Sequence, residues 1–235
     1  MGPTWWLRQV AVLARDLGAT VDAVGDTFDL AVCHRSDRIE GFAMANALLP
    51  VGEQFLEVAS PLDGSSPAGR MLAGRGEGGY LVILQTDDLD GARSRAIAAG
   101  AVVTIELDEP DAHEIHFHPR STGGVALAFD WMQPESHWRW AGSEWRHHVR
   151  TDVVTGIAGV TLSAPQHEVL ATQWGQLLGI DPQAHAGALQ IPLRGGFLRF
   201  VPGGSRPALH TVHLTGPGPA SLQVGDLLVT TQLPE

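Results

Sequence analysis

Four short stretches of the chain repeat one alternation of side chains. Gln9–Val12, Leu81–Leu84, Gly159–Leu162 and Thr211–Leu214 each place Val second and an aliphatic residue fourth. A period of two belongs to a β-strand. Val10, Val82, Val160 and Val212 therefore share one face, and Gln9, Leu81, Gly159 and Thr211 take the other. Behind the first three stretches the pattern predicts helices over residues 16–24, 89–99 and 166–178, with Asp16, Asp88 and Pro165 as start signals. The fourth runs into Thr215-Gly-Pro-Gly-Pro, which cannot continue as a helix. After each helix come turn-punctuated strands that close on Phe55–Val58, Ala126–Phe129, Phe197–Phe200 and Leu227–Thr230. The repeating unit is βαβββ, and the expected fold class is α+β, with paired modules forming curved mixed sheets. Modules one and two match in length, while three and four are shortened.

The break between the pairs falls in a stretch rich in Trp and Arg without a strong period. The expected organisation is a first domain over 1–135, a linker over 136–152 and a shortened second domain over 153–235. Trp138, Trp140 and Trp145 are expected to pack at the seam rather than stack on a ligand.

Composition narrows the function classes. A formal net charge of -11 opposes binding to nucleic acid or to an anionic membrane surface. Apolar runs are too short to span a bilayer, and the first twelve or so residues lack the long apolar core of a signal peptide, so a soluble cytoplasmic protein is expected. The single Cys33 can form no internal disulfide and reads as buried filler.

Three phrases in order, Arg75-Gly-Glu-Gly-Gly-Tyr-Leu-Val, Asp87-Asp-Leu-Asp and His118-Pro-Arg-Ser-Thr-Gly-Gly-Val, make the chain resemble the vicinal-oxygen-chelate superfamily. That superfamily includes glyoxalase I, methylmalonyl-CoA epimerase, extradiol dioxygenases and bleomycin-resistance proteins. The resemblance implies sheets curled into a cup, with a divalent metal held by the first and last strands of each module. The corresponding positions here are Gln9, Glu57, Leu81 and Ala128, and in the second pair Gly159, Arg199, Thr211 and Val229. Of the first four only Glu57 is a good ligand, since Leu and Ala donate nothing. No cofactor is expected. The alternative is a divalent metal on Gln9 and Glu57, or on His116 and His118.

Glu57 reads in two ways: as a hydrogen-bonded carboxylate, or as a general base for proton transfer beside a carbonyl, aided by His116 or Arg120. His116 and His118, two apart, are expected to share a strand face near His113. Arg120 is a candidate anion contact at the cup rim, and His34, Arg35 and Arg38 are candidates at its mouth. Tyr80 reads as packing, and Ser65-Ser66 and Gly123-Gly124 as turns. The expected ligand-binding set is thus Gln9, His34, Glu57, Leu81, His118, Arg120 and Ala128. Three functions compete: a small-molecule binder with a degenerate metal site, a lyase or isomerase, and a regulatory pseudoenzyme. A homodimer is expected because module four has no helix to cover its sheet.

Overall fold

The computed structural model describes residues 4–39 and 41–233. Module one comprises β1 (Trp5–Leu13), α1 (Leu17–Phe28), β2 (His34–Ile39), β3 (Met44–Val51) and β4 (Gln54–Pro61). A connecting helix, α2 (Pro67–Arg75), leads to module two: β5 (Gly78–Thr86), α3 (Leu89–Ala98), β6 (Val103–Glu109), β7 (Ala112–Phe117) and β8 (Ala126–Met132). Module three is β9 (Gly156–Ala164), α4 (His167–Leu178), β10 (Gln183–His185), β11 (Ala188–Leu193) and β12 (Gly196–Pro202). Module four is β13 (Ala208–Thr215), β14 (Ser221–Val224) and β15 (Leu227–Gln232). In every module the first and last strands pair in parallel, while its neighbouring hairpin strands pair antiparallel, so the α+β class with mixed sheets holds.

The capping chemistry acts where expected at two helices. Asp16 accepts a hydrogen bond from the Ala19 amide at 3.0 Å, and Asp88 accepts one from the Gly91 amide at 3.0 Å. Helix α1 runs past Val24 to Phe28, because Val21, Val24 and Phe28 form one buried stripe. The cap of α4 is Gln166 rather than Pro165, and the helix stops at Gly179 in the left-handed region. Helix α2 is absent from the sequence expectation. Ser66, read there as turn chemistry, caps it by accepting from the Gly69 amide at 3.0 Å, and Pro67 occupies its first position.

By contacts the chain forms two compact units. One contains Met1–Arg8, Leu81–Arg139 and Ala158–Leu209; the other contains Gln9–Tyr80, Trp140–Ile157 and His210–Glu235. The first unit holds most of modules two and three, with strands ordered β5-β8-β7-β6 and β10-β11-β12-β9. There α3 packs on β8 and on α4. The Trp174 indole donates to the Thr122 carbonyl at 3.0 Å, and the Gln173 amide donates to the Ser121 carbonyl at 2.9 Å, which ties α4 to the turn after β7. Trp138, fully buried, lies under Arg8, whose guanidinium carbon is 5.0 Å from the ring centroid.

The second unit holds most of modules one and four, with strands ordered β2-β3-β4-β1 and β13-β15-β14. Helix α1 packs on β3 and β4 and also on β14. Module four has no helix of its own, and α1 packs on its edge strand β14. Trp145 is fully buried edge-on to Phe55, with centroids 5.0 Å apart. Trp138 and Trp145 thus serve as core side chains, one in each unit, while Trp140 is half-buried.

Candidate functional site

The register of β1 to β4 assembles the polar residues of module one on one face. His34 pairs with Leu48, Leu48 with Glu57, and Glu57 with Ala11. In the next row Ser36 pairs with Asn46, and Asn46 with Ala59. Side chains directly opposite one another share a face, so His34, Asn46 and Glu57 stand together on the side away from α1. Leu49, which alternates with Leu48, lines a cleft with Val21 of α1.

Glu57 is the centre of this group and is 7% exposed. The Gln9 amide donates to its Oε2 at 2.7 Å, and the Asn46 amide donates to its Oε1 at 2.7 Å. Gln9 and Asn46 are themselves buried, on the strands either side of β4. Two amides aimed at both oxygens suit the ionised carboxylate, which offers only acceptors. The sequence reading places Gln9 beside Glu57 but misses Asn46; its signal was a polar residue at an inward position of the apolar run Met44–Val51.

Along the same face the polar group gives way to apolar packing. Leu13, Met44 and Ala59 from the sheet meet Ala68 and Leu72 of α2, and the partly buried Ile39, Phe42, Met71 and Tyr80 pack against them. Tyr80 is a packing residue, as its position suggested, but it also lies within the field of the Glu57 charge. Burial first, and the Glu57 carboxylate second, push its phenol up from 10.0 to about 12.

Module two arranges its face differently. Leu81 pairs with Ala126, Ile83 with Ala128, and Ala128 with His116. One row along, Gln85 pairs with Asp130 and Asp130 with Glu114, all three buried. His116 Nε2 lies 2.9 Å from Glu114 Oε1. This polar row also went unread in the sequence, because its members lie on three separate strands.

The histidines of this region do not converge. Strand β7 ends at Phe117, so His118 does not share its face with His116; it caps the turn Pro119–Ser121, with Nδ1 accepting from the Arg120 amide at 3.1 Å. His113 takes the opposite face of β7 from His116, 2.6 Å from Asp108 and against the Trp131 ring. Among the described residues no group of three or more His, Cys, Asp or Glu side chains is placed to hold a metal ion. Arg120 is exposed.

The four family metal positions do not fit a divalent cation. Leu81 and Ala128 have no donor atoms, and Gln9 turns its amide nitrogen, not its oxygen, toward Glu57. Gly159, the matching position in module three, has no room for any side chain: a Cβ there would lie 2.5 Å from the Phe197 carbonyl oxygen.

Two surface clefts lie elsewhere. One of about 330 Å³ beside α1 includes Arg35, but Asp22, Asp26 and Asp29 also line it, which disfavours the anion contact expected of Arg35. The other, about 380 Å³, lies at the start of α4 between Val169 and Pro207. No helix among the described residues is long and apolar enough to cross a membrane.

A family model described as a glyoxalase-like domain matches residues 10–178. No curated protein sequence matches the chain. Among solved structures, a hypothetical protein from Staphylococcus aureus is similar over 100% of both chains, with a TM-score of 0.74 and 12% identity. A variant of Streptomyces coelicolor methylmalonyl-CoA epimerase, in complex with 2-nitronate-propionyl-CoA, is similar over 56% of this chain and 97% of its own, with a TM-score of 0.50 and 20% identity. At these identities the structural likeness speaks for the fold alone.

Proposed function

Because the chain belongs to the glyoxalase-like family of the vicinal-oxygen-chelate superfamily, we propose that it binds a small molecule without a metal, on the face of module one that carries Glu57. The observation behind this reading is the pair of 2.7 Å amide hydrogen bonds to Glu57, from Gln9 and Asn46. These bonds occupy the one good ligand of the family set with neutral donors. The degenerate metal site is then a polar anchor at the end of an apolar wall, in the manner of the drug-sequestering members of the superfamily. A cytoplasmic location, no nucleic-acid partner, and a homodimer formed through an exposed strand edge such as β10 complete the proposal.

The test is thermal stabilisation by aromatic, glycopeptide-like and acyl-thioester compounds, with and without zinc, manganese, nickel or iron(II). Saturation at about a hundredfold excess over Kd adds about 2.7 kcal/mol of stability. We expect one compound class to stabilise the wild type, Glu57→Gln to abolish the effect, and metal to leave it unchanged. Stabilisation that requires stoichiometric metal overturns the reading.

A second reading, a lyase or isomerase, is favoured by the burial of Glu57 with His34 in the same row of the sheet. Here Glu57 would abstract a proton beside a carbonyl. An identified turnover that survives Glu57→Gln eliminates it.

A further inference from the structure

Asn46 is 8% exposed, yet its side-chain oxygen has no hydrogen-bond partner among the described residues. Its amide nitrogen is committed to Glu57 Oε1 at 2.7 Å, so the oxygen cannot be satisfied by turning the amide round: that would set oxygen against carboxylate. A buried acceptor without a partner is costly, and in native proteins such groups are met by water or by a ligand. The neighbouring atoms identify the kind of group that meets this one. The Glu57 carboxylate, whose charge is felt at Tyr80, is an acceptor, and Asn46 presents a second acceptor next to it. Asn46 pairs across the sheet with Ala59, and Ala59, Met44 and Leu13 begin the apolar wall completed by Ile39, Phe42, Met71 and Tyr80. Leu13, Met44 and Ala59 are covered by Ala68 and Leu72 of α2, whereas those last four are only partly buried and form the margin of the wall that solvent reaches.

From the unpartnered Asn46 oxygen beside the Glu57 carboxylate at the foot of an apolar wall, we propose that this face takes a primary ammonium group carried on an aryl or alkyl body. An ammonium has several donors and no acceptor, which matches two adjacent acceptors, and its charge is complementary to Glu57. A ligand carboxylate is excluded by the same two groups, since it would bring acceptors and negative charge to both. A neutral hydroxyl offers one donor and serves one of the two acceptors. The apolar body lies along the partly buried Phe42, Met71 and Tyr80, where it removes surface from water. This inference rests on the proposed binding role of the Glu57 face and goes beyond it in naming the chemistry of the ligand.

The experiment is calorimetric titration of phenethylamine, phenethyl alcohol and hydrocinnamate into the full chain, with an acyl thioester as a fourth probe. The wild type is expected to rank the amine above the alcohol by about tenfold or more, with hydrocinnamate weakest. Asn46→Leu, which keeps the side-chain size and removes both polar atoms, is expected to weaken the amine about tenfold and to leave the alcohol nearly unchanged. Equal or tighter binding of hydrocinnamate, absence of amine binding, or an amine preference that survives Asn46→Leu overturns the inference. The wild-type ranking stands even if that variant does not fold. The two proposals fail separately: a thioester or acid that binds and is lost in Glu57→Gln sinks the ammonium assignment but keeps the binding face. If no probe responds to Glu57→Gln, both fall.

Discussion

Asn46 and Glu57 sit on adjacent antiparallel strands, and the Asn46 amide donates to Glu57 Oε1 at 2.7 Å while Gln9 serves the other oxygen from the far side. The carboxylate is therefore held in one orientation by two neutral donors, with its charge kept near Tyr80.

Tyr80 reports that charge. It is the only tyrosine in the chain, so its ionisation can be followed alone by ultraviolet difference absorbance. In the wild type the phenol is expected to titrate at about 12. Glu57→Gln removes the smaller of the two causes, and the midpoint is expected to fall while staying above 10.0, because burial remains. An unchanged midpoint would show that the two groups do not interact.

The same shift makes a statement about stability at high pH. The folded-state value is raised, so above the unfolded value of 10.0 the unfolded chain releases the proton before the folded one does. Stability from this group is fully present below pH 10.0 and is lost as pH rises toward about 12. Tyr80→Phe is expected to flatten that segment of a plot of unfolding midpoint against pH. A variant that follows the wild-type slope would rule the linkage out.

Cys33 should be a sluggish nucleophile. Burial pushes its thiol from 9.0 up to about 11, outweighing a backbone hydrogen bond that acts the other way. Alkylation by iodoacetamide is expected to be at least tenfold slower at pH 8 than for an exposed cysteine, with the rate still climbing past pH 10. Rapid labelling at neutral pH would contradict the burial that causes the shift.

Two buried tryptophans provide a matched pair. Trp174 donates to the Thr122 carbonyl, whereas the Trp145 ring nitrogen has no partner among the described residues. Both lose packing on replacement by Phe, but only Trp174→Phe also strands a buried carbonyl. Trp174→Phe is expected to cost about 1–2 kcal/mol more than Trp145→Phe in urea denaturation. Equal costs would mean the Thr122 bond contributes nothing.

Much of this molecule was legible in the sequence. The alternation at Gln9–Val12 and its three echoes located the opening strand of every module. Asp16 and Asp88 marked helix starts, and the Gly-Pro pairs after Thr215 excluded a helix from module four. These are local matters: strand period, capping and proline act within a few residues of chain. Glu57 was also legible, as a lone charge in an apolar closing strand. Helix α2 left a weaker signal, Ser66-Pro67, which reads equally well as a turn when the apolar wall that α2 covers is unknown.

Only the tertiary structure decided the rest. That Asn46 answers Glu57 and that α1 packs on β14 depend on which elements lie side by side. A period of two tells which face a side chain takes, but the register between strands determines its partner. For the same reason the lack of donor atoms at Leu81 and Ala128 was visible in the sequence, while the amide pair that holds Glu57 was not. Hydrogen bonds between residues 11 and 48 positions apart follow from a sheet that no local stretch encodes.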